Sequence, residues 1–210
     1  MVSKSDITDA PIYKRDLNPD PFKQFEKWMN EAMNRPEEIE PTAMVLATVS
    51  KDFRPSTRVV LLKEVKNGGF IFYTNYKSRK SRELENNPHA SAIFWWRTLA
   101  RQVRIDGEVS MIDKAESETY FNTRPIGSRL SAIISPQSEP VPNRAFLEEK
   151  LKIEEAKLKA GIAPSRPAHW GGYKIRPSCF EFWQGRPSRL HDSFRYRKDD
   201  DQWALERLAP

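Results

Sequence analysis

The chain has 210 residues, enough to bury an apolar core in one domain, or two small ones, without staples. Lys and Arg outnumber Asp and Glu by 35 to 29; the net charge of +6 favours anionic partners, whether nucleic acid, a membrane surface or phosphorylated small molecules. An aromatic content of 11%, with 6 Trp, argues against disorder, and the single cysteine, Cys179, excludes an internal disulfide and zinc-type ligand clusters.

Residues 1–18 are polar and aperiodic and read as a mobile arm, with residues 19–210 as one domain. The N-terminus carries Asp6 and Asp9 where a secretory signal needs an apolar stretch, so a cytoplasmic location is expected. Asp20-Pro21 opens a helix, because Asp caps well and Pro suits the first helical position. Phe22, Phe25, Met29, Ala32 and Met33 then form one apolar stripe, which Trp28 widens. Residues 43–50, 58–63 and 70–74 are short apolar runs rich in β-formers. Asn67-Gly68 predicts a hairpin between the last two, since both residues tolerate positive φ. Helices are expected at residues 78–86, 114–123 and 143–158. Further strands are expected at 91–96, 102–111, 179–183, 194–197 and 203–207. Gly107, inside a strand pattern, marks a bulge. Many short strands with few helices between them describe a mainly β (α+β) fold, an antiparallel sheet closing toward a barrel. The longest charge-free run, residues 86–96, is too short to span a bilayer, so no membrane role is expected. The aromatics alternate as core residues do and are not set out as stacking platforms, which argues against nucleic acid.

Four segments carry candidate chemistry. Arg79 and Lys80, in the first turn after Ser78, oppose the helix dipole; an anion docked there would relieve that cost, or the turn is simply solvated. Arg58 and Lys63 flank four apolar residues and, five apart in a regular strand, would point to opposite faces; they serve two ligands, or one faces water. Tyr120, Arg124 and Ser128 recur every four residues and offer a phenol, a guanidinium and a hydroxyl, a set suited to a phosphate, although Pro125 breaks a continuous helix. Arg189 and His191 sit two apart on one face of an expected strand; the histidine is a ligand or an ordinary packed one. No nucleophile triad and no Gly-rich phosphate loop is present.

Taken in order, Arg58 to Lys63, Tyr73-Thr74, Ser78-Arg79-Lys80, Arg101-Gln102-Val103, Gln137-Ser138, Trp170-Gly171-Gly172, Glu181-Phe182-Trp183-Gln184-Gly185, Arg189-Leu190-His191-Asp192 and Glu206-Arg207-Leu208-Ala209-Pro210 resemble the pyridoxine (pyridoxamine) 5′-phosphate oxidases over nearly the whole chain. The resemblance implies an FMN-binding split β-barrel with peripheral helices, a homodimer with FMN sites at the subunit interface. Its implied activity is oxidation of pyridoxamine or pyridoxine 5′-phosphate to pyridoxal 5′-phosphate, with O2 reduced to H2O2. By position, Arg58, Val59, Val60, Leu61, Tyr73, Thr74, Arg79, Lys80, Gln102, Gln137, Ser138 and Trp183 would line FMN. Lys63, Tyr120, Arg124 and Ser128 would hold the substrate phosphate, and Arg189, Leu190 and His191 would meet the substrate ring, Arg189 and His191 as the catalytic pair.

The sequence departs from the family pattern at Ser193, where Arg-Leu-His-Asp is followed in the family by an arginine of the FMN site. Arg195, on the same strand face, is a candidate replacement. The Arg-Glu-Tyr type segment that precedes Tyr13-Lys14-Arg15-Asp16 in relatives is missing, and Arg129-Leu130-Ser131 stands where Gln-Ile-Gly is common.

Overall fold

The computed structural model describes residues 10–200 and 202–210. Nine strands form one antiparallel sheet: β1 (Ala43–Val49), β2 (Pro55–Leu61), β3 (Glu64–Lys66), β4 (Gly69–Asn75), β5 (His89–Trp96), β6 (Arg101–Met111), β7 (Trp170–Gln184), β8 (Asp192–Asp199) and β9 (Gln202–Leu208). Their order is β2-β1-β5-β6-β7-β4-β3, with β8 also on β7 and β9 outside β8. The first half of β7 pairs with β4 and its last half with β8, while β6 lines its opposite edge. One strand thus feeds two branches, and the branching curls the sheet around its core.

That core is aromatic: Phe25, Phe70, Phe72, Phe94, Phe180, Phe182, Phe194 and Tyr196 are all buried. Helix α1 (Pro21–Met33) lies over it. Asp20 caps α1, its side chain accepting Phe22 N–H at 2.9 Å, and Pro21 takes the first turn. Phe25, Trp28, Met29 and Ala32 are buried as the stripe requires, whereas Met33 is 59% exposed, because the helix ends there and its last residue overhangs the sheet. Emptying the Phe25 position would cost about 3–5 kcal/mol.

The Asn67-Gly68 turn forms with both residues at positive φ (50° and 67°). It joins β4 to the three-residue β3, not to the 58–63 run, which belongs to β2 and pairs with β1. The bulge at Gly107 is present: the β6–β7 register shifts between Asp106 and Gly107, and a Cβ on Gly107 would lie 2.3 Å from the Arg176 carbonyl oxygen. Pro177 sits opposite, where it fits because the ladder is already broken. β7 runs nine residues further toward the N-terminus than its apolar C-terminal part suggests, because Gly171, Gly172 and Pro177 mask the pattern.

Helices α2 (Arg79–Asn86), α3 (Lys114–Thr123) and α5 (Arg144–Lys159) fall where expected. A further helix, α4 (Ile126–Ile134), follows Pro125. Of the segment read as a mobile arm, residues 1–9 lie outside the described residues and the rest is docked. Ile12 N–H donates to Asp192 at 2.9 Å, Leu17 is buried, and Tyr196 Oη donates to the Asn18 carbonyl at 2.7 Å. Among the described residues no helix is long and apolar enough to cross a membrane.

Candidate active site

A cleft of about 860 Å³ opens between β2, β4, the start of α2 and the α3–α4 junction. Fourteen of the residues singled out from the sequence line it: Arg58, Val59, Val60, Leu61, Tyr73, Thr74, Arg79, Lys80, Gln137, Ser138, Lys63, Tyr120, Arg124 and Ser128. Arg58 and Lys63 do not diverge as strand alternation predicts. β2 stops at Leu61, the chain turns as Leu62 N–H bonds to Thr42, and both cations reach the same cleft.

At one end Arg58, Arg79 and Lys80 converge. The side chain of Ser78 does not cap α2, and although Ser81 N–H bonds to the Ser78 carbonyl at 3.0 Å, no side chain among the described residues competes with a ligand for the N–H groups of Arg79 and Lys80. The Ser78 hydroxyl instead accepts Lys80 Nζ at 3.1 Å, and Lys80 also donates to Thr74 and to Gln137 Oε1, both at 2.9 Å. Burial, with Arg58 close by, brings the Lys80 ammonium down from 10.5 to about 8. Burial alone would raise Glu83, but hydrogen bonds from Ser56, Thr48 and Arg79 outweigh it and hold the carboxyl at about 2.

At the other end stand Tyr120, Arg124 and Ser128. The residue before a proline is driven out of the helical region, and Arg124 is extended (φ −72°, ψ 147°) between α3 and α4. The break still leaves all three side chains on the cleft. Tyr120 stacks on Tyr73 with ring centroids 3.8 Å apart. Arg124 lies over Trp170, 4.5 Å from its ring centroid, and its buried Nη1 has no hydrogen-bond partner. Burial lowers the Arg124 guanidinium, with the Tyr120 hydroxyl acting in the opposite sense; an arginine remains charged regardless. A charged guanidinium lining a cleft is a site for an anion. Gly171 and Gly172 admit this packing, since a Cβ would lie 2.1 Å from Tyr76 Oη at the first and 2.9 Å from the Tyr73 ring at the second.

Gln102, Trp183, Arg189, Leu190 and His191 do not line the cleft. They gather around the C-terminal end of β7, and Trp170 and Trp183 lie 13 residues apart on that strand, a contour of roughly 40 Å. Trp95, Gln102, Trp183, Ser193 and Leu208 are direct cross-strand neighbours and form one row over β5, β6, β7, β8 and β9. The Trp183 and His191 rings are 4.6 Å apart, and His191 Nδ1 accepts the Arg186 N–H at 3.0 Å, which leaves Nε2 as the ring's hydrogen-bond donor. Arg189 and His191 are not on a strand, as expected, but on a turn. Residues Pro187–Arg189 form a short 3-10 segment in which Ser188 and Arg189 have φ of 58° and 62°, and β8 starts only at Asp192. Asp192 anchors this turn, accepting Arg207 Nη1 at 2.7 Å and lying 3.5 Å from Arg186 Nε. Arg195, the candidate replacement for the arginine absent at Ser193, pairs with Glu206 at 2.8 Å.

Two residues that shape the cleft escaped the sequence reading as site residues. Glu83 was signalled only by its i,i+4 spacing from Arg79. Trp170 stood in the Trp-Gly-Gly motif without a role.

Residues 29–159 match the family described as pyridoxamine 5′-phosphate oxidase, and residues 170–210 match the pyridoxine 5′-phosphate oxidase C-terminal dimerisation region. The chain is 48% identical over 207 residues to the pyridoxine/pyridoxamine 5′-phosphate oxidase of Cyanothece sp., covering 99% of this chain and 96% of that one. It is 50% identical over 207 residues to that of Thermosynechococcus vestitus, with 99% and 97% covered. Among solved structures it is similar to PhzG from Burkholderia lata 383, crystallised with tetrahydrophenazine-1-carboxylic acid (TM-score 0.87, 29% identity, 95% of this chain and 98% of that one). It also shares the fold of an FMN-binding, pyridoxamine 5′-phosphate oxidase-related protein from Nostoc punctiforme (TM-score 0.71, 17% identity, 89% and 97% covered). The curled sheet is therefore the split barrel that the sequence resemblance implied, and the chain belongs to the pyridoxamine 5′-phosphate oxidase family of oxidoreductases.

Proposed function

We propose that the protein is an FMN-dependent oxidase that converts pyridoxamine 5′-phosphate or pyridoxine 5′-phosphate to pyridoxal 5′-phosphate. The observation that carries this reading is one cleft with two cationic ends, Arg58, Arg79 and Lys80 at one and Arg124 at the other, with Lys63 also on its wall. Two phosphorylated ligands need two such ends. The donor set fits FMN: three cations and the open N-terminus of α2 suit its phosphate, and Thr74, Gln137 and Ser138 supply neutral polar groups beside them.

FMN, held there, would supply two-electron redox chemistry for oxidation at the substrate's C4′, with O2 as the final acceptor and H2O2 as its product. The chain's task is to bind and orient. Lys63, Tyr120, Arg124 and Ser128, all on the cleft wall, hold the substrate phosphate. Arg189 and His191 orient the substrate ring, His191 with a proton at Nε2, and neither is required as a base. Leu190, 72% exposed, and Trp183 add apolar cover, and Gln102 and Trp183 complete the flavin wall.

These last residues stand away from the cleft of their own chain, and the dimerisation match over residues 170–210 includes Trp183 to His191. The reading therefore places them in the cleft of a second subunit of a homodimer, each interface site drawing on both chains. The test is direct. Purified protein is titrated with FMN by flavin fluorescence, then given pyridoxamine 5′-phosphate in air. Stoichiometric flavin binding followed by equal yields of aldehyde and peroxide is expected. Flavin binding without turnover would reduce the protein to a flavin binder, and no flavin binding would overturn the reading.

A further inference from the structure

Glu83 is 5% exposed and lies behind the cationic end of the cleft, outside every group of ligand-binding residues assigned above. Its Oε1 accepts Arg79 Nε at 2.8 Å. Its Oε2 accepts the Thr48 hydroxyl, the Ser56 hydroxyl at 2.6 Å and Arg58 Nη2 at 3.3 Å. The same two hydroxyls accept Arg58 in turn: Nη1 donates to Thr48 and Nη2 to Ser56, each at 2.5 Å, and Nη1 also reaches the Leu46 carbonyl at 3.2 Å. The four Nη protons of Arg58 thus have four protein acceptors, and only Nε is left to turn to a ligand. Arg79, by contrast, uses Nε on Glu83 and keeps both Nη groups for the cleft it lines.

One carboxylate therefore joins two guanidinium groups that would otherwise repel each other. Thr48 and Ser56 relay the arrangement, each donating to Glu83 while accepting from Arg58, so the geometry is fixed from β1 and β2 as well as from α2. The charges also balance. Arg58, Arg79 and Lys80 with Glu83 leave +2, the complement of a phosphate monoester dianion.

We propose that Glu83 is the positioning residue of the cofactor-phosphate end of the cleft, locking Arg58 and Arg79 together and trimming three cations to the charge of one phosphate dianion. The proposal rests on the FMN reading above. It differs from a plain structural role in what it protects, the phosphate and not the flavin ring.

The experiment compares FMN with riboflavin, which lacks the phosphate. Flavin-free wild type, Glu83→Ala and Glu83→Gln are titrated with each by fluorescence at neutral pH. In Glu83→Ala, FMN affinity is expected to fall about tenfold or more while riboflavin affinity changes less than about twofold. Glu83→Gln keeps an acceptor for Arg79 but no charge, and its loss, at least about threefold, is likewise confined to FMN. Unchanged FMN affinity, or equal losses for both flavins, overturns the proposal. If Glu83→Ala does not fold, Glu83→Gln decides by the same two criteria. Wild type that fails to prefer FMN to riboflavin overturns the cofactor reading itself and the role of Glu83 with it, an outcome read before either variant is considered.

Discussion

The Arg124 guanidinium rests on the face of Trp170, 4.5 Å from its ring centroid, with one Nη buried and unpartnered. The indole acts as a shelf that holds the cation pointed into the cleft without consuming its donors. A stacked cation of this kind gains about 0.5–2 kcal/mol. Trp170→Leu is therefore expected to raise KM for pyridoxamine 5′-phosphate about tenfold with kcat within twofold. Pyridoxamine without its phosphate should be unaffected. Steady-state kinetics on both substrates checks this, and equal effects on the two would remove the shelf from the phosphate site.

Lys80 sets a pH limit on cofactor binding. Burial first, and the neighbouring Arg58 second, bring its amine to about 8 against an ordinary 10.5. Without ligand, the folded protein gives up this proton before the unfolded chain does, so this group adds stability as pH rises from about 8 to 10.5. Phosphate binding needs the charged form, so FMN affinity is expected to fall as pH rises through about 8 while riboflavin affinity stays level between pH 7 and 9. Lys80→Arg should remove the slope. Parallel titrations of both flavins across that range are the measurement.

Ser193 faces the Trp183 side of the sheet, between Trp183 and Leu208 in register, and Arg195 is held by Glu206. Restoring the family arginine in Ser193→Arg adds a charged hydrogen bond of about 1.5–3 kcal/mol, and FMN should bind about tenfold tighter. Fluorescence titration showing equal or weaker binding would mean that position 193 does not reach the flavin.

The distance along β7 between Trp170 and Trp183 leads to a mixing experiment. Arg124→Ala damages the cleft, and His191→Ala damages the far turn. If each site takes its cleft from one subunit and its turn from the other, mixed dimers contain one doubly damaged site and one intact site. After denaturation and joint refolding, about a quarter of all sites should be whole. Two inactive preparations would then recover activity together, whereas sites contained in single chains would recover none.

Much of this architecture is legible in the residues. Asp20-Pro21 and Gly107 form as read, and Asn67-Gly68 makes its turn, although the strand it joins to β4 is the short β3 and not the 58–63 run. What was misread depended on partners distant in sequence. The place where β2 ends, and hence the convergence of Arg58 and Lys63, is decided by pairing with β1. The start of β7 is hidden because its glycines serve close packing against Tyr76 and Tyr73. The turn at Arg189 is held by Asp192 and Arg207, a contact between segments 15 residues apart. Glu83 was invisible for the same reason, since Thr48 and Ser56 reach it from 35 and 27 residues away.

β7 also has a consequence for how the protein is made. It stands against β6 on one edge and against β4 and β8 on the other, yet it is supplied by residues Trp170–Gln184, close to the C-terminal end. A nascent chain interrupted before Trp170 holds β4 and β6 with no strand between them, and both would present unpaired backbone to solvent or to each other's copies. Closing the sheet therefore waits on a strand that follows β4 and β6 by about 60 or more residues, so folding is governed by long-range pairing, which is intrinsically slower than local contact formation.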